Sequence, residues 1–124
     1  MSIPKRIAAG AALVVILLLG ASIAVGLSIG SGVREASAAA VDEYGGSRVD
    51  ALMAFVASPE HSLTERNRAV WALGQLGDPR ALPTLERYQT GAACDHARFI
   101  CQHELDKAIR ACRGSTNVTA FLWR

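Results

Sequence analysis

The sequence predicts an all-α protein in which an N-terminal transmembrane helix precedes a small domain of paired helices. Two observations support this fold class. The 27 residues from Ile7 to Val33 contain no charged side chain. Beyond them, apolar residues recur at spacings of three and four, which is the periodicity of an amphipathic helix, and no run alternates as a strand would.

Length and charge narrow the functional class. The chain has 124 residues, which is enough for one small domain. Lys5 and Arg6 precede the apolar run, and the residues from Arg34 onward carry equal numbers of acidic and basic side chains. A nucleic-acid-binding protein needs a basic face that displaces counterions from phosphate. The balanced charge therefore argues against nucleic acid as a partner.

The apolar run is long enough to cross a bilayer, because about 20 apolar residues span the hydrocarbon core. We therefore expect a short N-terminal segment at 1–6 and a transmembrane signal anchor at 7–33. A cleaved secretory signal is the main alternative, since Ala36-Ser37-Ala38 fits the small-x-small cleavage pattern. The run is roughly twice as long as the 7–15 apolar residues of a usual signal, which favours the anchor. A buried helix of a soluble protein is a third interpretation.

The charges beside the apolar run predict its orientation. Lys5 and Arg6 lie ahead of it, whereas acidic residues soon follow Arg34 behind it, which favours an N-terminus inside the cell. The C-terminal domain is then expected outside the cytoplasm. Gly26 and Gly30 form a GxxxG spacing, which lets two membrane helices pack closely and makes a homodimer one expectation. The alternative is that small residues are simply common in such helices.

Residues 34–46 are interpreted as a juxtamembrane linker, because they contain small and charged residues and end in Gly45-Gly46; a helical start of this segment is one expectation. A helical domain is expected over residues 47–113. Its first helix ends before Pro59 and has apolar residues at helical spacing, namely Val49, Leu52, Met53 and Val56.

The remaining helices carry recognisable start and stop signals. Ser62 and Glu65 form a capping box at the start of the second helix, and Gly77 is a suitable C-terminal cap for it. Asp78-Pro79 begins the third helix. Asp95 is expected to cap a last helix that runs to about residue 113. Residues 114–124 form a C-terminal tail, in which Phe121-Leu122-Trp123 is unusually apolar.

Residues 68–85 read RAVWALGQLGDPRALPTL, an alanine-rich helix that ends in a glycine turn before a proline-led helix. This segment resembles the HEAT repeat, specifically its PBS-lyase HEAT-like type. The resemblance implies a short α-solenoid of about two helical-hairpin repeats over residues 47–113. It also implies a bacterial protein, so we expect a single-pass inner-membrane protein with its domain in the periplasm. We carry no lyase activity over, because the repeat itself is a scaffold.

Cys94, His96, Cys101 and His103 form a cluster of residue types that bind zinc. On one continuous helix the cysteines and the histidines project to opposite sides, so no metal site is expected unless Cys94 and His96 fold back from a loop. A Cys94–Cys101 disulfide is the preferred interpretation, because the domain is expected in an oxidising compartment. Buried thiols, or an intermolecular bridge through the odd cysteine, are the alternatives.

The predicted function is a membrane-anchored HEAT-repeat interaction module that acts as a scaffold, adaptor or assembly factor in the cell envelope. No nucleophile elbow or phosphate-binding glycine loop is present, so neither catalysis nor a cofactor is expected. The alternative is a redox- or metal-responsive envelope protein that uses the cysteines and histidines. Candidate protein-binding residues are of types favoured at interfaces, namely Arg66, Trp71, Arg80, Arg87 and Tyr88.

Overall fold

The computed structural model describes residues 4–115, which are helical and contain no strand. The prediction of an all-α fold is therefore confirmed. The helices are α1 (Lys5–Tyr44), α2 (Arg48–Ala57), α3 (Leu63–Leu76), α4 (Leu82–Tyr88) and α5 (Gln102–Cys112), with a 3₁₀ turn at Pro79–Ala81. The apolar tail sequence Phe121-Leu122-Trp123 lies outside the described residues.

The first helix has two parts that differ in their surroundings. From Ile7 to Val25 the large apolar side chains are exposed, as a membrane-facing surface would be. Among the described residues, α1 alone is long and apolar enough to cross a membrane, and its place near the N-terminus also fits a signal sequence. From Gly26 onward, residues at helical spacing become buried on one side, namely Gly26, Gly30, Val33, Ser37 and Ala40.

Residues 34–46, which the sequence analysis interprets as a linker with a possible helical start, are helical over most of their length. This segment continues α1 as a helix up to Tyr44, and the chain turns only at Gly45 and Gly46, whose φ angles are 70° and 76°. The helix persists because its buried side contacts the rest of the domain: Ala36, Ala40 and Val41 belong to the core that α2 and α3 share. An exposed ion pair between Glu35 and Arg68 (2.8 Å) adds a second link between α1 and α3.

Helices α2 and α3 form the first pair of the domain and begin at the caps that the sequence contains. Ser47 accepts a hydrogen bond from the Asp50 backbone N–H at the start of α2. Ser62 and Glu65 form the expected capping box of α3, and Gly77 ends it in the left-handed conformation. The core between the helices consists of fully buried side chains, the largest of which are Leu52, Val56, Val70, Leu73, Leu85 and Leu105.

The last helix begins six residues later than the sequence predicts, because its N-cap is Cys101 and not Asp95. The Asp95 carbonyl accepts hydrogen bonds from Arg98 and Phe99, so Asp95 starts only one turn. The Cys101 N–H then donates to the Asn67 side chain (2.8 Å) and not to a helical carbonyl. This tertiary hydrogen bond places residues 89–101 in a loop.

Helices α3 and α5 approach each other closely at Gly74. A Cβ atom on Gly74 would lie 2.9 Å from the Ala108 Cα and 3.0 Å from its Cβ. Only a residue without a side chain allows the two helix backbones to come this near. Gly74 therefore sets the spacing of α3 and α5.

We expect Gly74→Ala to lower the free energy of unfolding. Overpacking a core costs about 1–3 kcal/mol, which exceeds the roughly 1 kcal/mol by which alanine improves helix propensity. Urea unfolding of the full chain in detergent measures the change. Gly20→Ala is the matched control, because nothing lies within 4 Å of the added Cβ. Equal stability of the two variants would show that α3 and α5 do not approach closely at Gly74.

Candidate functional site

Two cysteines and a histidine meet at the amino-terminal end of α5. The Cys94 and Cys101 Sγ atoms are 3.2 Å apart. One ligand atom each from Cys94, His96 and Cys101 lies within 4.8 Å of the other two. We call these three residues the thiol–imidazole cluster. Cys94 and His96 reach Cys101 because they lie in a loop that folds back. A metal site at these residues requires this arrangement.

The loop that carries the cluster is held by amide side chains. The buried Gln102 donates to the Tyr88 and Ile100 carbonyls (3.0 and 3.1 Å) and accepts from the Thr90 N–H (2.7 Å). Asn67 of α3 holds the Cys101 N–H. Neither amide could be predicted from the sequence, because a single Asn or Gln in a helical segment belongs to no recognisable motif. Asn67 thus attaches the loop to α3, and Gln102 attaches it to the end of α4.

The electrostatic surroundings favour the thiolate form of Cys94. The His103 backbone N–H points at the Cys94 Sγ (3.3 Å) and, with the nearby Cys101 thiol, lowers the pKa of Cys94. The Gln102 backbone N–H acts in the same direction, and the Asp106 carboxylate opposes it. Cys94 is exposed and Cys101 is buried. The cluster thus presents one accessible thiol of low pKa beside a sheltered one.

The predicted Cys94–Cys101 disulfide stays a prediction, since the two thiols are close but not bonded in this structure. Cys112 lies apart from the cluster at the end of α5, where its buried Sγ contacts the Leu73 carbonyl (3.6 Å). His103 is exposed in the first turn of α5, and its imidazole is not one of the three converging groups.

Three of the five candidate partner-binding residues make contacts within the domain. The Arg66 Nε donates to the Val56 carbonyl (2.8 Å), and its guanidinium lies 5.3 Å from the centre of the Tyr88 ring. Trp71 packs against Val33 of α1. These contacts explain the residue types at positions 66, 71 and 88 without a partner.

The other two candidates face outward. Arg80 is exposed in the 3₁₀ turn, where it pairs with Asp78 (2.9 Å) and approaches Asp50 (3.9 Å). Arg87 is exposed in the last turn of α4. Both arginines therefore remain predicted contact residues on the repeat surface.

The two glycines of the GxxxG spacing do not lie on an exposed side of α1. Gly26 and Gly30 are buried within the single chain, on the side of α1 that continues into Val33, Ser37 and Ala40. Farther along this side, Val33 packs with Trp71 and Leu76 of α3, and Ala40 belongs to the core of the domain. The homodimer through Gly26 and Gly30 stays a prediction, and a second copy would have to approach a side that the chain itself already covers.

Residues 65–89 match the family model of the PBS lyase HEAT-like repeat. The match covers nearly all of α3, the 3₁₀ turn and α4. The chain therefore carries a HEAT-like repeat, as its sequence indicated. Neither a curated protein nor a solved structure shows significant similarity to the chain.

We expect Cys94 of the reduced protein to be alkylated faster at pH 7 than an ordinary thiol, whose pKa is about 8.5. A lowered pKa gives a larger thiolate fraction at that pH, and the thiolate is the nucleophile. Cys101→Ala removes one cause of the lowered pKa and should slow the reaction. Peptide mass spectrometry after iodoacetamide treatment at several pH values measures the rates.

Cys112→Ala is the matched control for this experiment, because it also replaces a buried cysteine but one outside the cluster. Its Cys94 should react at the wild-type rate. Equal slowing in both variants would show that Cys101 has no specific effect on the Cys94 thiol.

Proposed function

We propose that this chain is a membrane-anchored HEAT-repeat interaction module, which serves as a scaffold, adaptor or assembly factor at the outer face of a bacterial inner membrane. One observation carries the proposal: α1 runs without a break from an exposed apolar segment into the core of the helical domain. The same helix thus combines a segment suited to a bilayer with a wall of the repeat domain.

The packing of α1 supports an uncleaved anchor over a cleaved signal. Cleavage after Ala38 would remove Val33, whose side chain is 1% exposed, together with the buried Ser37. It would also remove Glu35, the ion-pair partner of Arg68. A buried Val contributes about 1.5–3 kcal/mol, which is a large share of the stability of a domain of this size. The domain therefore depends on residues that a signal peptidase would discard.

The same contacts restrict where the membrane can lie. Ile29 and Val33 pack with Trp71 and Leu76 of α3, so from about Ile29 onward one side of α1 packs against the domain. The segment from Ile7 to Ser28 remains for the bilayer and is still as long as the roughly 20 residues required. The domain would then sit directly at the membrane surface, with no flexible tether.

The repeat surface supports the interaction role. HEAT-like repeats present a stacked helical face and generally bind other proteins, without a reaction of their own. Arg80 and Arg87 are exposed on the matched repeat at 65–89 and are not used in the core. An acidic protein surface is the complementary partner, because arginine forms charge-assisted bonds with carboxylates. The membrane would keep such a partner beside the bilayer.

The anchor is tested by the fate of the chain in native membranes. We expect the full-length mass in the membrane pellet after alkaline carbonate extraction. A Leu17→Arg/Leu18→Arg double variant should be released, because each arginine costs about 2.5–3.5 kcal/mol at the centre of a membrane helix. A soluble product that lacks the first 36–40 residues would contradict the anchor and favour the signal.

The interaction surface is tested by charge reversal at Arg87, with Arg110 as the control. Both are exposed arginines in the last turn of their helices, so Arg87→Glu and Arg110→Glu share the same unfavourable interaction with the helix dipole. We expect chemical crosslinking in native membranes to yield a partner adduct that falls about tenfold or more in Arg87→Glu, since breaking an interfacial ion pair costs at least 2 kcal/mol. Equal adducts in both variants would exclude this surface.

A further inference from the structure

We propose that Cys94, His96 and Cys101 bind a single zinc ion. The site is independent of the proposed membrane and partner-binding functions, since neither α1 nor the exposed arginines take part in it. The three ligand atoms already lie within 4.8 Å of one another. Cys94 and His96 lie within the loop, and Cys101 at its end is the N-cap residue of α5. Cys94 and Cys101 are seven residues apart in the sequence, and the fold of the loop between them brings their Sγ atoms to 3.2 Å.

The ligand types select the class of cation. Thiolate sulfur and imidazole nitrogen are ligands of zinc, whereas magnesium and calcium require oxygen. Zinc bonds to sulfur at about 2.3 Å, so tetrahedral geometry places two sulfurs roughly 3.8 Å apart. The Sγ atoms of Cys94 and Cys101 are 3.2 Å apart and need separate only slightly. Cys94 and His96 are exposed, so the loop can make this adjustment.

The surroundings of the sulfurs suit a metal-bound thiolate. The His103 N–H donates to the Cys94 Sγ (3.3 Å), and a hydrogen bond of this kind stabilises negative charge on sulfur. Asn67 fixes the backbone of Cys101 through its N–H (2.8 Å). Outer contacts that orient the ligands typically contribute to the affinity of metal sites. Two thiolates, a neutral imidazole and Zn²⁺ have no net charge, so the bound site needs no counterion.

The exposure of the cluster determines how an ion would reach it and how many protein ligands it would have. Cys101 is buried beneath the loop, while Cys94 and His96 lie at the surface. An ion can therefore enter from solvent, and its fourth coordination position faces outward. Three protein ligands with an open position are typical of exchangeable or catalytic zinc sites. Bound zinc would tie the middle of the loop at 89–101 to Cys101, the N-cap residue of α5.

A disulfide between Cys94 and Cys101 would use the same two sulfurs and has no need of His96. The role of His96 therefore separates zinc binding from disulfide formation. His96 is exposed and its substitution removes no core contact, so a His96→Ala variant should fold normally.

Cobalt titration of the reduced full-length protein in detergent tests the site. We expect one Co²⁺ per chain, with thiolate-to-cobalt charge-transfer absorption that Zn²⁺ abolishes by displacement. His96→Ala and Cys94→Ser should each weaken binding at least 100-fold, because loss of an outer contact alone costs roughly 10–100-fold. His61→Ala and Cys112→Ala are the matched controls. His61 pairs with Glu43 and Cys112 contacts Leu73, so both lie outside the cluster and should leave cobalt affinity unchanged.

Three results would overturn the proposal. The first is wild-type protein that shows no charge-transfer absorption on addition of cobalt. The second is a His96→Ala variant of normal helix content that binds cobalt as tightly as the wild type. The third is protein from native membranes, prepared without reductant, that has a Cys94–Cys101 disulfide and no bound metal.

Discussion

The packing of the second half of α1 against α2 and α3 is the contact on which the rest of the structure depends. A pair of repeat helices cannot bury its apolar face alone, and about three stacked repeats are usually needed for a continuous core. In this chain the family model matches one repeat, at residues 65–89. Val33 and Ala40 of α1 are almost completely buried, so α1 covers the face that a preceding repeat would cover in a longer array. The membrane-suited helix thus also completes the domain.

A continuous helix has different mechanical properties from a flexible linker. Because α1 continues to Tyr44 without interruption, any bilayer that holds its first half also fixes the direction of the domain. The Glu35–Arg68 ion pair and the packing of Trp71 near Gly32 restrict rotation of the domain about α1. Under the proposed function, this geometry would hold the repeat surface at a constant distance from the membrane.

The loop before α5 shows how a few polar contacts can override local helix signals. Asp95 is able to start a helix and does start one turn. Asn67 and the buried Gln102 then hold the following backbone in an irregular path. As a result Cys94, His96 and Cys101 converge, whereas on one continuous helix His96 would have pointed away from the two cysteines. The chemistry of this region therefore depends on amide side chains that are not reactive themselves.

The sequence by itself determined the features that depend on neighbouring residues: the apolar run of α1, the Ser62–Glu65 capping box, the Gly77 end of α3, and the repeat at 65–89. Each arises from the spacing or the backbone preference of residues close together in the chain. The tertiary structure decided the rest. Residues 34–44 became helix because α2 and α3 cover them, and α5 begins at Gln102 because Asn67, 34 residues earlier, binds the Cys101 N–H. Burial and hydrogen bonding between distant segments leave no local pattern in a sequence, so these features required the fold.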